Sequence, residues 1–536
     1  MRTILIAGLT VMTCTAMGQS IEEAKQHLYH DRLQSAEQVL QQVLTQEKEA
    51  YYWLTEVYLE DNKVEKAKSL LNSSSDILSA HPLNKVAYGS VLLAENKPAE
   101  AKAQFDQALK DANRKTEVDV IKAIARAQVE NKSGDANIAL NLISEIKEKS
   151  LDAEAITLRG DAYRKLNQGS EAAKAYMEAL LKDEKYAQAA YNLGKIYMTQ
   201  QNSDMFLKYF NQAIEADPKF AAAYYELYYY YYFRDVNKAK EYLDLYIANT
   251  DPSMEHQYMK MDLMYASAKY DEAISGANAI LEKEGEQAKP RLYKLLAYSY
   301  DAKGDSSKAF ELLNTYFARE VDSNLVAKDF DLQAKLFKKM DQDSLAAIAW
   351  EKAIALDTVE NYKLEYMQQM AQMFKENNDR SKEAKWLGRI FETKKDPNNL
   401  DLYNWGLAHY AASEFSQADT VFGKYTEKYP DQVYGYYWKA KSLAQIDSTM
   451  ELGLAVNDYK KVAEIAVTDK EKNKSLLIQA YGYLGAYEAN VSKDYPAALG
   501  WFEKILEVQP DNSDAQKFAD ILKKWIEEGK GQTKTE

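Results

Sequence analysis

The chain has 536 residues, of which 46% are hydrophobic and 28% are charged, a composition typical of soluble folded proteins. Aromatic residues make up 12% and exclude a disordered chain, while only 20 Gly and 9 Pro argue against collagen-like and Pro-rich sequences. The formal net charge of -14 argues against nucleic acid as a main partner, because phosphate binding needs clustered Lys and Arg.

Residues 1–18 have the pattern of a secretory signal peptide. Arg2 supplies the positive start, residues 4–12 form an apolar run, and Ala16-Met17-Gly18 fits a small-x-small cleavage site. The apolar run is too short to cross a bilayer core of roughly 30 Å, and no later apolar stretch is long enough either. We therefore expect cleavage after Gly18, no transmembrane span, and a periplasmic or secreted mature chain.

Cys14 is the only cysteine and lies inside this segment. A lipid anchor at Cys14 is the alternative to soluble release, but Met12 and Thr13 stand where bacterial lipoproteins carry small residues. Release is the favoured interpretation, and it leaves a mature chain that has no thiol and so forms no disulfide.

Three pairs of residues recur at a spacing of 34: Gly160 and Gly194, Tyr163 and Tyr197, and Ala179 and Ala213. Around the second member of each pair stand Leu193, Phe210 and Pro218. This pattern resembles the tetratricopeptide repeat, in which L-G-x2-Y is followed by A-x3-F and P over 34 residues. Similar copies contain Trp405-Gly406, Ala418 and Phe422, and Ala498, Phe502 and Pro510.

The resemblance implies two antiparallel helices in each unit, with small residues where the helices cross and Pro after the second helix. The frame predicts about 14 units, starting near residues 20, 48, 82, 116, 153, 187, 221, 254, 290, 327, 364, 399, 433 and 478. The predicted fold is therefore all-α, a right-handed superhelical solenoid of about 14 helix pairs with a C-terminal capping helix.

The expected organisation has three groups of repeats after the signal peptide. They are N-terminal units over 19–152, central units with a Tyr-rich groove over 153–321, and C-terminal units over 322–511. An amphipathic helix over 512–528 would cap the last repeat, which otherwise exposes its stacking face. Residues 529–536 form a polar tail.

No constellation of catalytic residues stands above chance. The sequence has no phosphate loop, no Gly-x-Ser-x-Gly elbow and no metal-ligand spacing. His27, His30 and Asp31 share one helix region and could hold a metal, but a solvated helix surface is the favoured interpretation. We expect no cofactor, no metal and no enzymatic activity; a glycosidase with two groove carboxylates is the rival hypothesis.

The 41 Tyr are the better indication of function. The family resemblance implies that positions 2, 5, 9 and 12 of each first helix face a concave groove. The Tyr at these positions form a first patch of Tyr191, Tyr225, Tyr229, Tyr232, Tyr258, Tyr265 and Tyr298, and a second of Tyr403, Tyr410, Tyr434 and Tyr437. Binding of a partner and packing between helices both remain open for these residues.

The resulting hypothesis is an exported scaffold that binds other proteins or peptides in an envelope assembly through its concave face. It could associate with a membrane complex, and its negative charge favours partners with basic or mixed surfaces. Two alternatives stay open: an envelope accessory factor that binds glycan or nascent polypeptide, and a structural spacer without a ligand.

Overall fold

The computed structural model describes residues 20–72 and 75–530. The predicted signal peptide with Cys14 lies outside the described residues. The described residues contain 30 α-helices, short 3-10 and π turns, and no strand. In this part of the chain no helix is both long enough and apolar enough to cross a membrane. The prediction of an all-α solenoid is confirmed.

The described residues fall into two compact units that divide between Ser299 and Tyr300. The helices of the first unit, the last of which runs past the division, are α1 Ile21–Tyr29, α2 Leu33–Val43, α3 Ala50–Glu60, α4 Val64–Asn72, α5 Ser75–Ala80, α6 Pro82–Ala94, α7 Pro98–Asp111, α8 Glu117–Glu130, α9 Ala136–Ser144, α10 Ala153–Lys165, α11 Gly169–Lys182, α12 Ala187–Thr199, α13 Ser203–Ala216, α14 Ala221–Tyr232, α15 Val236–Asn249, α16 Met254–Ala266, α17 Tyr270–Glu284 and α18 Arg291–Ala302.

The helices of the second unit are α19 Ser306–Arg319, α20 Ala327–Lys339, α21 Asp343–Leu356, α22 Glu360–Glu376, α23 Arg380–Thr393, α24 Asn399–Ala411, α25 Phe415–Lys428, α26 Val433–Ile446, α27 Val456–Ala466, α28 Lys474–Tyr487, α29 Tyr495–Val508 and α30 Ser513–Glu527. Trp350 is fully buried in this unit, and its indole N–H donates to Asp331 at 2.9 Å.

The helices alternate as first and second members of pairs, as the 34-residue frame predicts. Every observed first helix begins within four residues of its predicted start. The short helix α5 was not predicted. It lies between α4 and Pro82, the first residue of α6.

A Gly and an aromatic ring 16 residues later set the close approach within several pairs. A Cβ placed on Gly194 would lie 2.6 Å from the ring of Phe210, and a Cβ on Gly406 would lie 2.6 Å from Phe422. Both rings are completely buried. Any larger residue at these glycines would therefore push the second helix away.

The first hairpin, α1 and α2, contacts repeats far along the chain. The ring of Tyr29 lies 5.5 Å from that of Phe220, and its hydroxyl accepts the N–H of Gln188 at 3.1 Å. His30 Nε2 lies 2.7 Å from Asp217 Oδ2. His30 is thus mostly covered by the central repeats, in contrast to the solvated surface expected from sequence.

Asp251 makes a second connection to this hairpin. It follows α15, and its carboxylate accepts the Ser35 N–H at 2.9 Å and the Ser35 hydroxyl at 2.6 Å. The Arg32 guanidinium also donates to it at 3.3 Å. The start of the described chain is therefore fixed against the turns that precede α12, α14 and α16.

Candidate partner-binding site

The Tyr run of α14 is divided between two faces of one helix. Tyr224 and Tyr228 are buried in the repeat core. Tyr225, Tyr229 and Tyr232, spaced four and three apart, lie on another face and are more accessible. The helical period of 3.6 residues therefore separates packing rings from accessible rings within a single tyrosine-rich segment.

Tyr229 is the most exposed of the tyrosines predicted to bind, at 50%. Its ring lies 4.8 Å from that of Tyr225, which in turn lies 5.3 Å from Tyr246 of α15. The hydroxyl of Tyr232 donates to the backbone carbonyl of Asp262 at 2.8 Å. We call Tyr225, Tyr229, Tyr232 and Tyr246 the Tyr cluster; packing and hydrogen bonds hold it in place before any partner arrives.

Polar residues flank the Tyr cluster on both sides. On α12, the Tyr191 hydroxyl donates to Glu226 at 3.2 Å, and Lys195 pairs with the same carboxylate at 2.5 Å. On α16, burial raises the pKa of Asp262 to about 6, although Arg291 lies 3.9 Å away and lowers it. Tyr191 is half-buried, so part of its ring remains accessible beside the cluster.

Tyr258 lies in a different environment from the one predicted. It is only 1% exposed, its hydroxyl donates to Glu284, and it accepts the Lys289 N–H at 2.9 Å. The Arg291 guanidinium lies 4.9 Å from its ring centre. The residues that follow α17 fold over Tyr258, so it packs and offers no face to a partner.

Tyr265 and Tyr298 face each other at the end of the first unit. Their rings lie 6.2 Å apart at a steep angle, and both side chains are half-buried. Tyr265 also contacts the ring of Tyr270 at 5.7 Å. The structure brings these two predicted residues together as a pair next to α17.

The second patch lies entirely within the second unit. Tyr434 is accessible and its ring lies 6.2 Å from Tyr403, while Tyr410 packs on Trp438 at 5.1 Å. Tyr437 is buried and hydrogen-bonds Gln479 at 2.7 Å, so it packs. The accessible part of this patch therefore reduces to Tyr434 with its half-buried neighbours.

The repeat sequence itself matches a family model. Residues 157–221, which run from within α10 to the first residue of α14, match the model described as tetratricopeptide repeat. This part of the chain consists of tetratricopeptide repeats. Helix pairs of this kind build scaffolds that are suited to protein–protein interaction. Among the described residues, no group of three or more His, Cys, Asp or Glu is arranged to hold a metal ion.

Several solved structures are similar to parts of the chain. The C-terminal part of a repeat protein from Cytophaga hutchinsonii is 26% identical, covers 48% of this chain and 98% of its own, and has a TM-score of 0.32. A tetratricopeptide repeat protein from Parabacteroides merdae is 15% identical, covers 53% of this chain and 96% of its own, and has a TM-score of 0.25. PilW, a type IV pilus biogenesis factor, is 20% identical, covers 39% of this chain and 94% of its own, and has a TM-score of 0.31. No curated protein matches the chain.

Proposed function

We propose that this tetratricopeptide repeat protein is an exported scaffold that binds other proteins or peptides and holds them in an envelope assembly. The Tyr cluster of the first unit is the proposed contact surface. The observation that carries the proposal is Tyr229, which stays half exposed among aromatic neighbours that are themselves held in place.

A fixed aromatic surface is energetically suited to binding. Complete burial of a large apolar side chain stabilises by about 1.5–3 kcal/mol, so covering the exposed half of Tyr229 would contribute about 1 kcal/mol. Its neighbours lose little conformational entropy on binding, because hydrogen bonds already restrain Tyr191 and Tyr232. The hydroxyl of an accessible Tyr can also bond a partner backbone.

Export is supported by the signal pattern of residues 1–18. The mature protein would then begin at Gln19 and occupy the periplasm or the medium, and a lipid anchor at Cys14 is the less favoured alternative. Cell fractionation and the intact mass of the purified protein test this. A mass that retains residues 1–18 would contradict export by cleavage.

The binding surface is tested with a photo-crosslinking amino acid in intact cells. It replaces Tyr229 in one variant and Leu181, a fully accessible residue of α11, in the control. We expect a few discrete protein adducts from position 229 that position 181 does not give. The same adducts from both positions, or no protein adduct at 229, would contradict the proposal. Adducts with a broad mixture of unfolded polypeptides would favour the accessory-factor alternative.

A further inference from the structure

The first hairpin contacts the helix pair α14 and α15 at both of its ends. Before α14, the ring of Tyr29 lies 5.5 Å from that of Phe220. After α15, the Arg32 guanidinium donates to the Asp251 carboxylate at 3.3 Å. Three of the four residues of the Tyr cluster lie on α14 and the fourth lies on α15. The two segments that contact the hairpin therefore bracket the helix pair that carries the whole cluster.

The contact before α14 involves several aromatic rings. Phe220 is only 2% exposed, and its ring also lies 5.5 Å from that of Tyr191, which flanks the Tyr cluster from α12. The ring of Tyr29 lies 6.2 Å from Tyr186, the residue that precedes α12. Tyr225 follows Phe220 by five residues, which is about 7.5 Å along α14. Tyr29 therefore helps to fix where α14 begins relative to α12.

The contact after α15 leads directly to the Tyr cluster. Thr250, the residue before Asp251, donates its hydroxyl to the backbone carbonyl of Tyr246 at 2.9 Å. The ring of Tyr246 lies 5.3 Å from that of Tyr225 and 5.5 Å from that of His256. The hydrogen bonds that hold Asp251 therefore also hold the end of α15, from which Tyr246 supports the cluster.

The hairpin is packed more firmly on its neighbours in sequence than on the central repeats. Its buried apolar residues share a core with α3 and α6; they are Ile21, Ala24, Ala36, Val39, Leu40 and Val43. Of the described hairpin residues, Tyr29 is the one that packs against the apolar cluster around Phe220. The other contacts are polar and part-buried. Because a contact with few apolar residues opens at low free energy, the hairpin can leave the central repeats while it stays packed on α3.

We propose that the first hairpin is a clasp that controls the Tyr cluster. While the hairpin is docked at Phe220 and Asp251, α14 and α15 hold the cluster in the form that binds a partner. When the clasp opens, both ends of this helix pair are released, and Tyr229 loses the fixed aromatic neighbours that prepare it for binding. This inference rests on the proposed function and adds its regulation.

The clasp and the binding surface are thermodynamically linked. Two events that favour the same state of a protein strengthen each other by the same factor, typically about 5–150-fold. A partner on the Tyr cluster would therefore slow the opening of the first hairpin. A ligand that captures the hairpin in its open form would release the partner by the same linkage.

Hydrogen exchange of the purified mature chain tests the clasp without a partner. The clasp variant Tyr29→Ala, Arg32→Ala changes only the hairpin and leaves every residue of α14 and α15 in place. We expect the amides of residues 222–232 and 240–249 to exchange at least about fivefold faster than in the parent. Arg32→Ala alone, at a side chain that is 38% exposed, should shift the same amides in the same direction and serves if the double variant loses its helical circular dichroism spectrum.

Glu37→Ala is the matched control within the same hairpin. The Glu37 carboxylate accepts hydrogen bonds from Gln41, Tyr58 and Lys66, which lie on α2, α3 and α4. This variant should speed exchange in α2 and leave the amides of α14 and α15 at the parent rate. Unchanged exchange of α14 and α15 in both clasp variants, or an equal increase in the control, would overturn the inference.

The photo-crosslinking residue at position 229 connects the clasp to binding. In the clasp variant it should give the partner adducts of the parent at a yield at least about fivefold lower, while the Glu37→Ala control keeps the parent yield. Faster exchange with an undiminished yield would refute control of binding by the clasp. If the parent itself gives no adduct, the proposed function fails, and the exchange of α14 and α15 alone decides whether the clasp positions the cluster.

Discussion

Removal of the Asp251 carboxylate should release the first hairpin from the central repeats. Asp251 is 11% exposed and accepts three hydrogen bonds, two from Ser35 and one from Arg32. Hydrogen bonds to a charged group contribute about 1.5–3 kcal/mol each, and they are not additive within one network. Asp251→Ala also leaves the Ser35 N–H without its acceptor. We expect the free energy of opening the hairpin to fall by about 3 kcal/mol, which raises its opening equilibrium constant roughly a hundredfold.

Hydrogen exchange measured by mass spectrometry checks this value segment by segment. The amides of α1 and α2 should exchange faster in Asp251→Ala, while those of α10 and α11 keep the parent rate. Asp244→Ala is the matched control, because its carboxylate makes only an exposed i,i+4 pair with Lys240 and should cost less than about 0.5 kcal/mol. Equal exchange of α1 in both variants would refute the reasoning.

The pH dependence of this contact has a defined sign. Burial alone would raise the pKa of Asp251, but the Ser35 hydroxyl and N–H and the Arg32 guanidinium lower it overall. A depressed pKa contributes stability that is present above the unfolded value of 3.8 and is lost as pH falls through the folded value. The slow exchange of α1 should therefore hold from neutral pH to about pH 4 and disappear in stronger acid.

Four further substitutions have distinct expected outcomes. Tyr258→Ala should lower the free energy of unfolding of the first unit by about 3–5 kcal/mol in urea denaturation. Tyr229→Ala should change this free energy by less than about 1 kcal/mol and weaken partner binding; equal stability losses would contradict the assignment of Tyr229 to the surface. Burial raises the pKa of Glu56 to about 7, so its ionisation opposes folding increasingly from about pH 5 to 8. Glu56→Gln should remove this loss of stability with rising pH and raise the free energy of unfolding at pH 8 by up to roughly 3 kcal/mol. If the variant and the parent have the same dependence of stability on pH, this prediction is wrong. Gly194→Ala should lower the free energy of unfolding by about 1–3 kcal/mol, because the added methyl group clashes with the ring of Phe210. An unchanged midpoint of thermal unfolding would show that the two helices can move apart without loss of stability.

The repeat frame could be predicted because it depends on local periodicity. A small residue such as Gly194 and a large ring such as Phe210 recur at the spacing that two packed antiparallel helices require. Each pair folds mainly against its neighbours, so the same pattern gives the same local structure in every unit. That is why the starts of the first helices agree with the frame even where the connecting loops vary in length.

The environment of individual tyrosines could not be predicted in this way. Tyr225 and Tyr258 occupy the same position of their units, yet Tyr225 joins the accessible cluster and Tyr258 is covered. The difference comes from residues 285–290, which follow α17 and place the Lys289 N–H on the Tyr258 hydroxyl. Loop residues outside the repeat signature therefore decide whether the same helix position is accessible or buried.

By itself, the sequence determined the helix pairs, their register and the glycines at their crossings, because these depend on contacts between residues about 16 to 34 positions apart. Only the tertiary structure decided that Asp31 and Arg32 meet the region of Tyr246 and Asp251, more than 200 residues later. The physical reason is that small rotations between successive repeats accumulate until distant segments meet, and no single repeat sequence encodes that sum.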